Sequence, residues 1–263
     1  MTGQSAGEVV VRSRDNSVAK LLRQLSAHSG AYRKLGQFWI EGDHLCRAAL
    51  QRQVVPAMVV FGESFWPSAP AAWVHAAART VVLSDPLFDE ISGLESAARV
   101  GFLIDLPSVR RPQAGLASVI LDRIQDAGNV GSILRSAAAF GVRQVLSLKG
   151  TAALWSPKVL RAGMGAHFGL ELVEGLQLSD VLALALPLVA TSSHHGGLLE
   201  QQTLPTPCAW AFGHEGQGLA ADLLAAAALS VRIGQPGGEE SLNVASAAAV
   251  CLYESARRRG GAV

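Results

Sequence analysis

Four short apolar runs in the second half of the chain each lead directly into polar or glycine-rich sequence. The run ending in VILD continues as RIQDAGN, LVAT continues as SSHH, AWAF as GHEGQG, and VRIG as QPGGEESLN. Carboxylates and guanidinium groups can bind phosphate or take part in proton transfer, and glycine lets backbone lie against a ligand. If the runs are parallel strands of one sheet, their polar ends share the edge where such sheets bind ligands. The pattern therefore predicts a ligand pocket at that edge.

The segment around Arg135 is the main candidate for contact with an anion. Asn129 can cap the predicted helix VGSILRSAAAFG, which puts Arg135 in the second turn, near the loop. A guanidinium there can hold a phosphate through two hydrogen bonds, or it can form a surface ion pair with Glu215 or Asp126. Glu215 lies between glycines in a tight turn, where we expect its carboxylate to accept backbone hydrogen bonds and to orient Arg135.

A second helix start, in GGEESLNVASAAAVCLYE from Gly237 to Glu254, is unusually rich in polar residues. Ser241 or Asn243 can cap this helix by accepting hydrogen bonds from its free N–H groups. The same N–H groups can instead receive an anion or a polar ligand. This segment alone leaves both interpretations open.

Several common signatures are absent from the sequence. GMGAHFG has the wrong spacing for a dinucleotide-binding loop, KGT is not a phosphate-binding P-loop, and no G-x-S-x-G nucleophile motif occurs. His194 and His195 are adjacent and have no carboxylate at metal-ligand spacing. We therefore predict no metal site.

The elements that must position these residues are those of an α/β protein. After residue 116, apolar strands alternate with helices, which is typical of a mostly parallel sheet covered on both faces. Before it, an amphipathic helix in SVAKLLRQL and strands in VPAMVVFG and TVVLSD indicate a smaller α/β module. The stretch LPSVRRPQAG has two prolines and no periodicity. We predict a flexible tail at 1–14, a small domain at 15–106, a linker at 107–115 and a larger domain at 116–263.

Charge and cysteine content restrict the class of protein further. The net charge of +1 gives no overall basic character, but residues 1–55 hold eight Lys and Arg against four Asp and Glu. This local excess can contact phosphates, or it can be a solvated helix face. The three cysteines lack metal spacing and favour free buried thiols. The N-terminus lacks a signal-peptide core, and the apolar runs are too short to cross a membrane, so we expect a soluble cytoplasmic protein.

Three segments together resemble a known family. DRIQDAGNVGSILRSAAAFG, AFGHEGQGL and IGQPGGEESLNVASAAAVCLYE are similar, in order and spacing, to the three motifs of the SpoU/TrmH-type RNA ribose 2′-O-methyltransferases of the SPOUT superfamily. The likeness is closest to the 23S rRNA guanosine 2′-O-methyltransferases. LRQLSAHSGAYRKLGQFWIEGDHLCRAAL resembles their L30-like substrate-binding domain. The resemblance covers about residues 15–257.

The resemblance implies an α/β fold with a deep C-terminal trefoil knot, a bound S-adenosylmethionine, a homodimer and a structured RNA substrate, ribosomal rather than transfer RNA. The small residues of the last helix would then be needed where the knotted chain is crowded. The catalytic residues it implies are Asn129, Arg135, Glu215, Ser241 and Asn243, and the cofactor-binding residues are Gly213, Ile233 and Leu242. We add Thr191, at the end of LVAT, to the cofactor-binding set.

The chain departs from the family pattern at two places. Ala127 stands where the family usually has proline, and Ile233-Gly234-Gln235 stands where Ile-Pro-Met is common. The leading hypothesis is an S-adenosylmethionine-dependent RNA 2′-O-methyltransferase in which Arg135 positions the reacting groups. The alternatives are a non-catalytic RNA-binding relative, which the departures would explain, and a small-molecule α/β enzyme, which the basic N-terminal segment disfavours.

Overall fold

The computed structural model describes residues 10–108, 111–238 and 240–259. The helices are α1 Ser17–Ala27, α2 Ala31–Leu35, α3 Asp43–Gln51, α4 Ala71–Val74, α5 Asp85–Ile91, α6 Ala127–Ala139, α7 Pro157–Gly163, α8 Leu178–Leu182, α9 Ala221–Ala225 and α10 Val244–Arg258. The strands are β1 Gln37–Glu41, β2 Met58–Gly62, β3 Thr80–Leu83, β4 Val100–Asp105, β5 Ser118–Leu121, β6 Gln144–Leu148, β7 Glu171–Leu176, β8 Leu188–Thr191, β9 Gly197–Leu198, β10 Ala209–Phe212 and β11 Leu229–Arg232.

The chain divides into two compact units. The first comprises the described part of Met1–Pro107 together with Trp155–Phe168, and the second comprises the described parts of Ser108–Leu154 and Gly169–Val263. No helix within the described residues is both long and apolar enough to cross a membrane.

The first unit is a small α/β module built on a mixed sheet. Among the described residues its four strands have the order β1-β4-β2-β3, with β4 antiparallel to both neighbours and β2 parallel to β3. α1 turns Val18, Leu22 and Leu25 inward, as its amphipathic pattern predicts. β4 was absent from the sequence-based prediction, and it lies in the middle of this sheet.

The first unit differs from the predicted domains at both ends. Residues 1–9 of the predicted tail lie outside the described residues, but Val11 forms a bridge to Leu83, so residues 10–14 are not loose. The Val11 amide donates to Val82 O at 2.8 Å. Residues 155–168, predicted to lie in the larger domain, belong to the first unit because α7 packs against β1 and the Trp155 ring contacts Phe38 at 4.7 Å.

The second unit contains a parallel sheet. Among the described residues its seven strands have the order β7-β6-β5-β10-β8-β11-β9, and every neighbouring pair is parallel. This confirms the predicted mostly parallel α/β fold. The sequence prediction lacked β7 and β9. Of the predicted linker 107–115, residues 109 and 110 lie outside the described residues.

Helices cover the sheet of the second unit. α10 packs against α6, where Gly131 and Ala137 of α6 and Ala248 of α10 are buried. Small buried side chains of this kind let two packed helices approach closely. A separate apolar cluster, which includes Ile120, Leu146, Val173, Leu188, Ala211 and Leu223, contains side chains of five strands and of α9. The three cysteines are free and buried, as predicted.

Candidate active site

The four polar strand ends of the sequence prediction do meet at one edge. They follow β5, β10, β8 and β11, which are consecutive neighbours in the parallel sheet. Because parallel strands end on the same side, the segments after Leu121, Phe212, Thr191 and Arg232 lie along the carboxyl edge.

A chain of hydrogen bonds joins three of the predicted catalytic side chains at this edge. Asn243 Nδ2 donates to Asn129 Oδ1 at 2.9 Å, and Asn129 Nδ2 donates to Glu215 Oε1 at 3.0 Å. Asn129 belongs to the first motif-like segment, Glu215 to the second and Asn243 to the third. Three segments far apart in sequence thus converge through their polar side chains.

The partners at the two ends of this hydrogen-bond chain determine how the side-chain amides of Asn129 and Asn243 are oriented. Asn243 caps α10, and its Oδ1 accepts hydrogen bonds from the backbone N–H groups of Ala245 and Ser246, at 2.9 and 3.3 Å. Its Nδ2 must therefore face Asn129 Oδ1. The Glu215 carboxylate in turn requires a donor, which is Asn129 Nδ2. This confirms the capping interpretation for Asn243, while Ser241 is exposed and is not the cap of α10.

The Glu215 carboxylate also receives two backbone hydrogen bonds from the turn after β5. The N–H groups of Gln125 and Asp126 donate to it at 3.3 and 3.2 Å. Burial by itself would raise the pKa of Glu215, but the hydrogen bonds from Asn129 and from backbone N–H groups outweigh it, and the pKa is lowered. The carboxylate therefore stays charged and holds the two turns together.

The predicted cap of α6 is wrong. Asp126 caps this helix, accepting the Asn129 backbone N–H at 2.7 Å, and Asn129 lies inside the first turn. Asp126 competes better for the capping position because its side chain precedes the helix, whereas the Asn129 amide is taken up by Glu215 and Asn243. Ala127 is then the first helical residue, a position that favours proline but tolerates alanine. The departure at Ala127 therefore leaves the helix start intact.

Arg135 is the ninth residue of α6 and lies in the third turn, one turn further from the loop than predicted. It is exposed, and no described residue forms an ion pair or hydrogen bond with its guanidinium. The surface ion pair with Glu215 or Asp126 is not formed, and Glu215 does not orient it. Its five donors are free to meet a phosphate from solution.

The loop after β10 has the tight geometry that its glycines indicate. A Cβ on Gly213 would lie 2.3 Å from backbone atoms of Gly218 and Leu219, so only glycine fits there. Within the loop, His214 Nδ1 accepts the backbone N–H groups of Gly216 and Gln217, at 3.0 and 3.2 Å. The ring thus acts as an acceptor that closes the turn.

The remaining predicted cofactor-binding residues are distributed along the same edge. Thr191 ends β8 and donates its hydroxyl to Ala211 O at 2.8 Å. Ile233 follows β11 and is half-buried, while Leu242, just before α10, leaves 42% of its surface exposed. Among the described residues, no three His, Cys, Asp or Glu side chains are placed to hold a metal ion.

The structure adds one residue that the sequence analysis did not select, Arg123, as the partner of Asp122 at the polar end of the first strand. Asp122 is buried at the end of β5, and its carboxylate pairs with Arg123. A charged dipeptide directly after a buried strand is the sequence signal that could have identified it.

Known proteins share both the sequence pattern and the fold. The sequence profile of the SpoU rRNA Methylase family matches residues 117–253. The 23S rRNA (guanosine(2553)-2′-O)-methyltransferase RlmP of Bacillus subtilis is 29% identical over 224 residues, which are 84% of this chain and 88% of that protein.

Two solved structures agree with this relationship. An RNA 2′-O ribose methyltransferase is 30% identical, with 96% of this chain and 100% of that chain covered and a TM-score of 0.78. The AdoMet-bound rRNA methyltransferase from Sinorhizobium meliloti is 25% identical, with coverage of 97% and 99% and a TM-score of 0.82.

The family match and these structures assign this parallel α/β sheet, with three convergent polar segments at its carboxyl edge, to the RNA methyltransferases. The chain belongs to the SpoU rRNA methylase family, as its three motif-like segments predict.

Proposed function

We propose that this protein transfers a methyl group from S-adenosylmethionine to the 2′-hydroxyl of a ribose in structured RNA, and that this RNA is ribosomal. The observation that carries the proposal is the hydrogen-bond chain from Asn243 through Asn129 to Glu215, which joins all three motif-like segments at the ligand edge of the sheet. The activities of RlmP and of the solved RNA 2′-O ribose methyltransferase support it.

The residues at this edge fit S-adenosylmethionine. Gln235, in the loop after β11, has a buried side-chain oxygen that no described residue hydrogen-bonds. A buried acceptor without a donor is costly, and the amino group of an adenine is a donor of the required kind. Gly213, Ile233 and Leu242 would hold the cofactor along the ends of β10 and β11. The AdoMet-bound relative from Sinorhizobium meliloti supports the same choice.

The protein's own groups have a limited task in this reaction. The bound cofactor supplies an electrophilic methyl group on its sulfonium. A ribose hydroxyl is a poor nucleophile, so it must be placed in line with that methyl group and must lose its proton. Arg135 is exposed and unpaired among the described residues, and it would hold a phosphate of the RNA beside the hydroxyl. A guanidinium carries N–H donors and no acceptor, so its role is positioning.

The first unit would supply affinity for RNA. Of the eight basic residues in 1–55, Arg12, Arg14, Lys20, Arg23 and Arg47 lie in ion pairs with carboxylates. Lys34 and Arg52 have no such partner among the described residues, and both are exposed. These two cations are the best candidates in this segment for contact with phosphates.

We further propose a homodimer and a C-terminal knot. Val250 and Tyr253 of α10 leave 41% and 54% of their surfaces exposed, which favours burial of that helix face against a second copy. Arg258 at the end of α10 donates to the carbonyls of Leu199 and Gln202. These contacts with the segment between β9 and β10 support a path in which the chain after β11 passes through that segment.

The test is methylation of purified RNA with S-adenosylmethionine labelled on its methyl group. Ribosomal and transfer RNA are offered separately, and alkaline hydrolysis follows, because a 2′-O-methyl group blocks cleavage at its own nucleotide. The expected result is label in ribosomal RNA within an alkali-resistant dinucleotide. Label only in transfer RNA would contradict the choice of substrate. RNA binding without transfer would identify a non-catalytic relative.

A further inference from the structure

Arg123 is held in an unusual backbone conformation directly after β5. Its φ is +58°, in the left-handed region that residues with a side chain seldom adopt. The Arg123 N–H donates to Thr151 Oγ1 at 3.0 Å, and that hydroxyl donates to Leu121 O at 3.0 Å. These partners maintain the backbone conformation of Arg123. The conformation in turn sets the direction in which the side chain leaves the backbone.

A buried carboxylate then fixes the guanidinium itself. Arg123 Nε and Nη2 donate to the two oxygens of Asp122 at 2.9 and 3.0 Å, and only 3% of the Asp122 side chain is exposed. The same carboxylate accepts the Ala220 N–H at 2.7 Å, just after the loop 213–219. Asp122 therefore anchors both Arg123 and the end of that loop.

The outer edge of the guanidinium reaches into the loop. Arg123 Nη1 donates to Gln217 Oε1 at 3.1 Å, and Nη2 donates to Gly218 O at 3.2 Å. The loop carries Gly213 at its start and Glu215 at its tip. The Glu215 carboxylate joins the loop to the turn after β5 and to Asn129, and the His214 ring and the His214–Gly218 bridge close the loop on itself.

We propose that Asp122 and Arg123 are positioning residues that hold the loop 213–219 in the shape needed to bind S-adenosylmethionine. The proposal rests on the proposed function, since it takes the loop as part of the cofactor site. Neither residue touches the reacting atoms. The pair acts through Gln217, Gly218 and Ala220, so its removal should weaken cofactor binding more than it slows methyl transfer at saturation.

The experiment compares the full-length protein with Arg123→Met. Methionine keeps an unbranched chain at the same left-handed position, so the variant chiefly removes the guanidinium. Hydrogen exchange of the Gly216, Gln217 and Gly218 amides is followed without cofactor, and S-adenosylmethionine affinity is measured by calorimetry. Removal of charge-assisted hydrogen bonds predicts about tenfold faster exchange and about tenfold weaker binding. KM for the cofactor should rise more than kcat falls.

Arg143→Met is the matched control, because Arg143 is an exposed arginine of the same unit whose side chain no described residue binds. It should leave both measurements unchanged. Wild-type exchange and affinity in Arg123→Met would overturn the proposal, as would faster exchange with unchanged affinity.

Two further results keep the experiment decisive. If Arg123→Met does not fold, Arg123→Asn replaces it, because asparagine adopts the left-handed conformation readily but is too short to reach Gln217. If the wild-type protein binds no S-adenosylmethionine, the proposed function fails. Accelerated exchange in the variant would then still support the loop-holding part of the inference.

Discussion

Asn129 and Arg135 lie on one helix, yet their surroundings assign them different tasks. The Asn129 amide is engaged on both sides, by Asn243 and by Glu215. The Arg135 guanidinium faces solvent with no partner among the described residues. The first arrangement holds a site together, and the second leaves a charge available to a substrate.

Arg135→Ala should fold normally and bind S-adenosylmethionine, because alanine favours helices and the guanidinium makes no contact with described residues. Methyl transfer should fall by about 100-fold or more, as expected when a group that positions charge in the transition state is removed. Single-turnover transfer to RNA measures this. Arg143→Ala is the control, and near-normal transfer by Arg135→Ala would show that Arg135 is an ordinary surface residue.

Asp126→Ala and Asn129→Ala should separate capping from site geometry. Asp126→Ala removes the cap of α6 and should lower the free energy of unfolding by about 1 kcal/mol. Asn129→Ala should cost less stability because its hydrogen bonds are exposed and water can replace them, but it should reduce methyl transfer more. Urea unfolding measures the loss of stability in both variants, and single-turnover rates measure the loss of methyl transfer. The opposite order of the two effects would contradict the capping assignment.

At the scale of elements, the site depends on turns that follow adjacent parallel strands. The turn after β5 and the loop after β10 are joined by the Glu215 carboxylate, which binds the N–H groups of Gln125 and Asp126. α6 begins at the turn after β5, α10 begins after the segment that follows β11, and the two helices pack against each other. Their helix starts therefore present Asn129 and Asn243 to each other.

The lowered pKa of Glu215 predicts how this connection depends on pH. A carboxyl group whose pKa is lower in the folded state stabilises the protein above its ordinary pKa of 4.5, and this contribution disappears as the pH falls through the lowered value. Glu215→Gln keeps an acceptor but lacks the charge, so it should be less stable than wild type at neutral pH. Urea unfolding should show the two proteins converging in acid. A constant difference across that range would mean that the charge of Glu215 does not contribute.

At the scale of the whole molecule, we propose that the two units divide the work between RNA binding and chemistry. A fragment beginning near Gly115 is a poor test of this division, because it would remove the partners of Trp155 and α7. Single charge changes in the full chain avoid that problem.

Lys34→Glu should weaken RNA binding and reduce the slope of log K against log salt by about 0.7–0.9 for each phosphate that the protein no longer neutralises. Cofactor affinity should stay unchanged, since Lys34 lies in the first unit. Arg79→Glu makes a charge change of the same size at another exposed residue of that unit, outside 1–55, and should have little effect. Equal reductions in affinity from both substitutions would point to general electrostatics instead of a defined RNA surface.

Val250→Asp tests the proposed homodimer. A carboxylate on the exposed face of α10 would be buried without a partner in a dimer, at a large energetic cost, but it would be harmless in a monomer. Sedimentation should give a dimer for wild type and a monomer for the variant. Ser255→Asp adds a charge elsewhere on the same helix and is the control. Its neighbour Glu254 already pairs with Arg257 and Arg258. A monomeric wild type would refute the dimer.

Several properties of this protein could be read from local sequence. The apolar runs separated by polar turns predict β5, β6, β8, β10 and β11, and the glycines around Glu215 predict a tight loop, because strand burial and left-handed turns depend on nearby residue types. Three ordered motif-like segments were sufficient to predict the family. They also named Asn129, Glu215 and Asn243, which the structure brings together.

Other properties depended on contacts between distant residues. The helix pattern alone did not distinguish Asp126 from Asn129 as the cap, since the choice depends on Glu215 and Asn243 occupying the Asn129 amide. Residues 155–168 have ordinary helical sequence, and only packing against β1 places them in the first unit. β9 has two residues, and partner strands rather than its own sequence define it. The proposed role of Arg123 depends on Asp122, Thr151, Gln217 and Gly218, and only the folded chain brings these residues together.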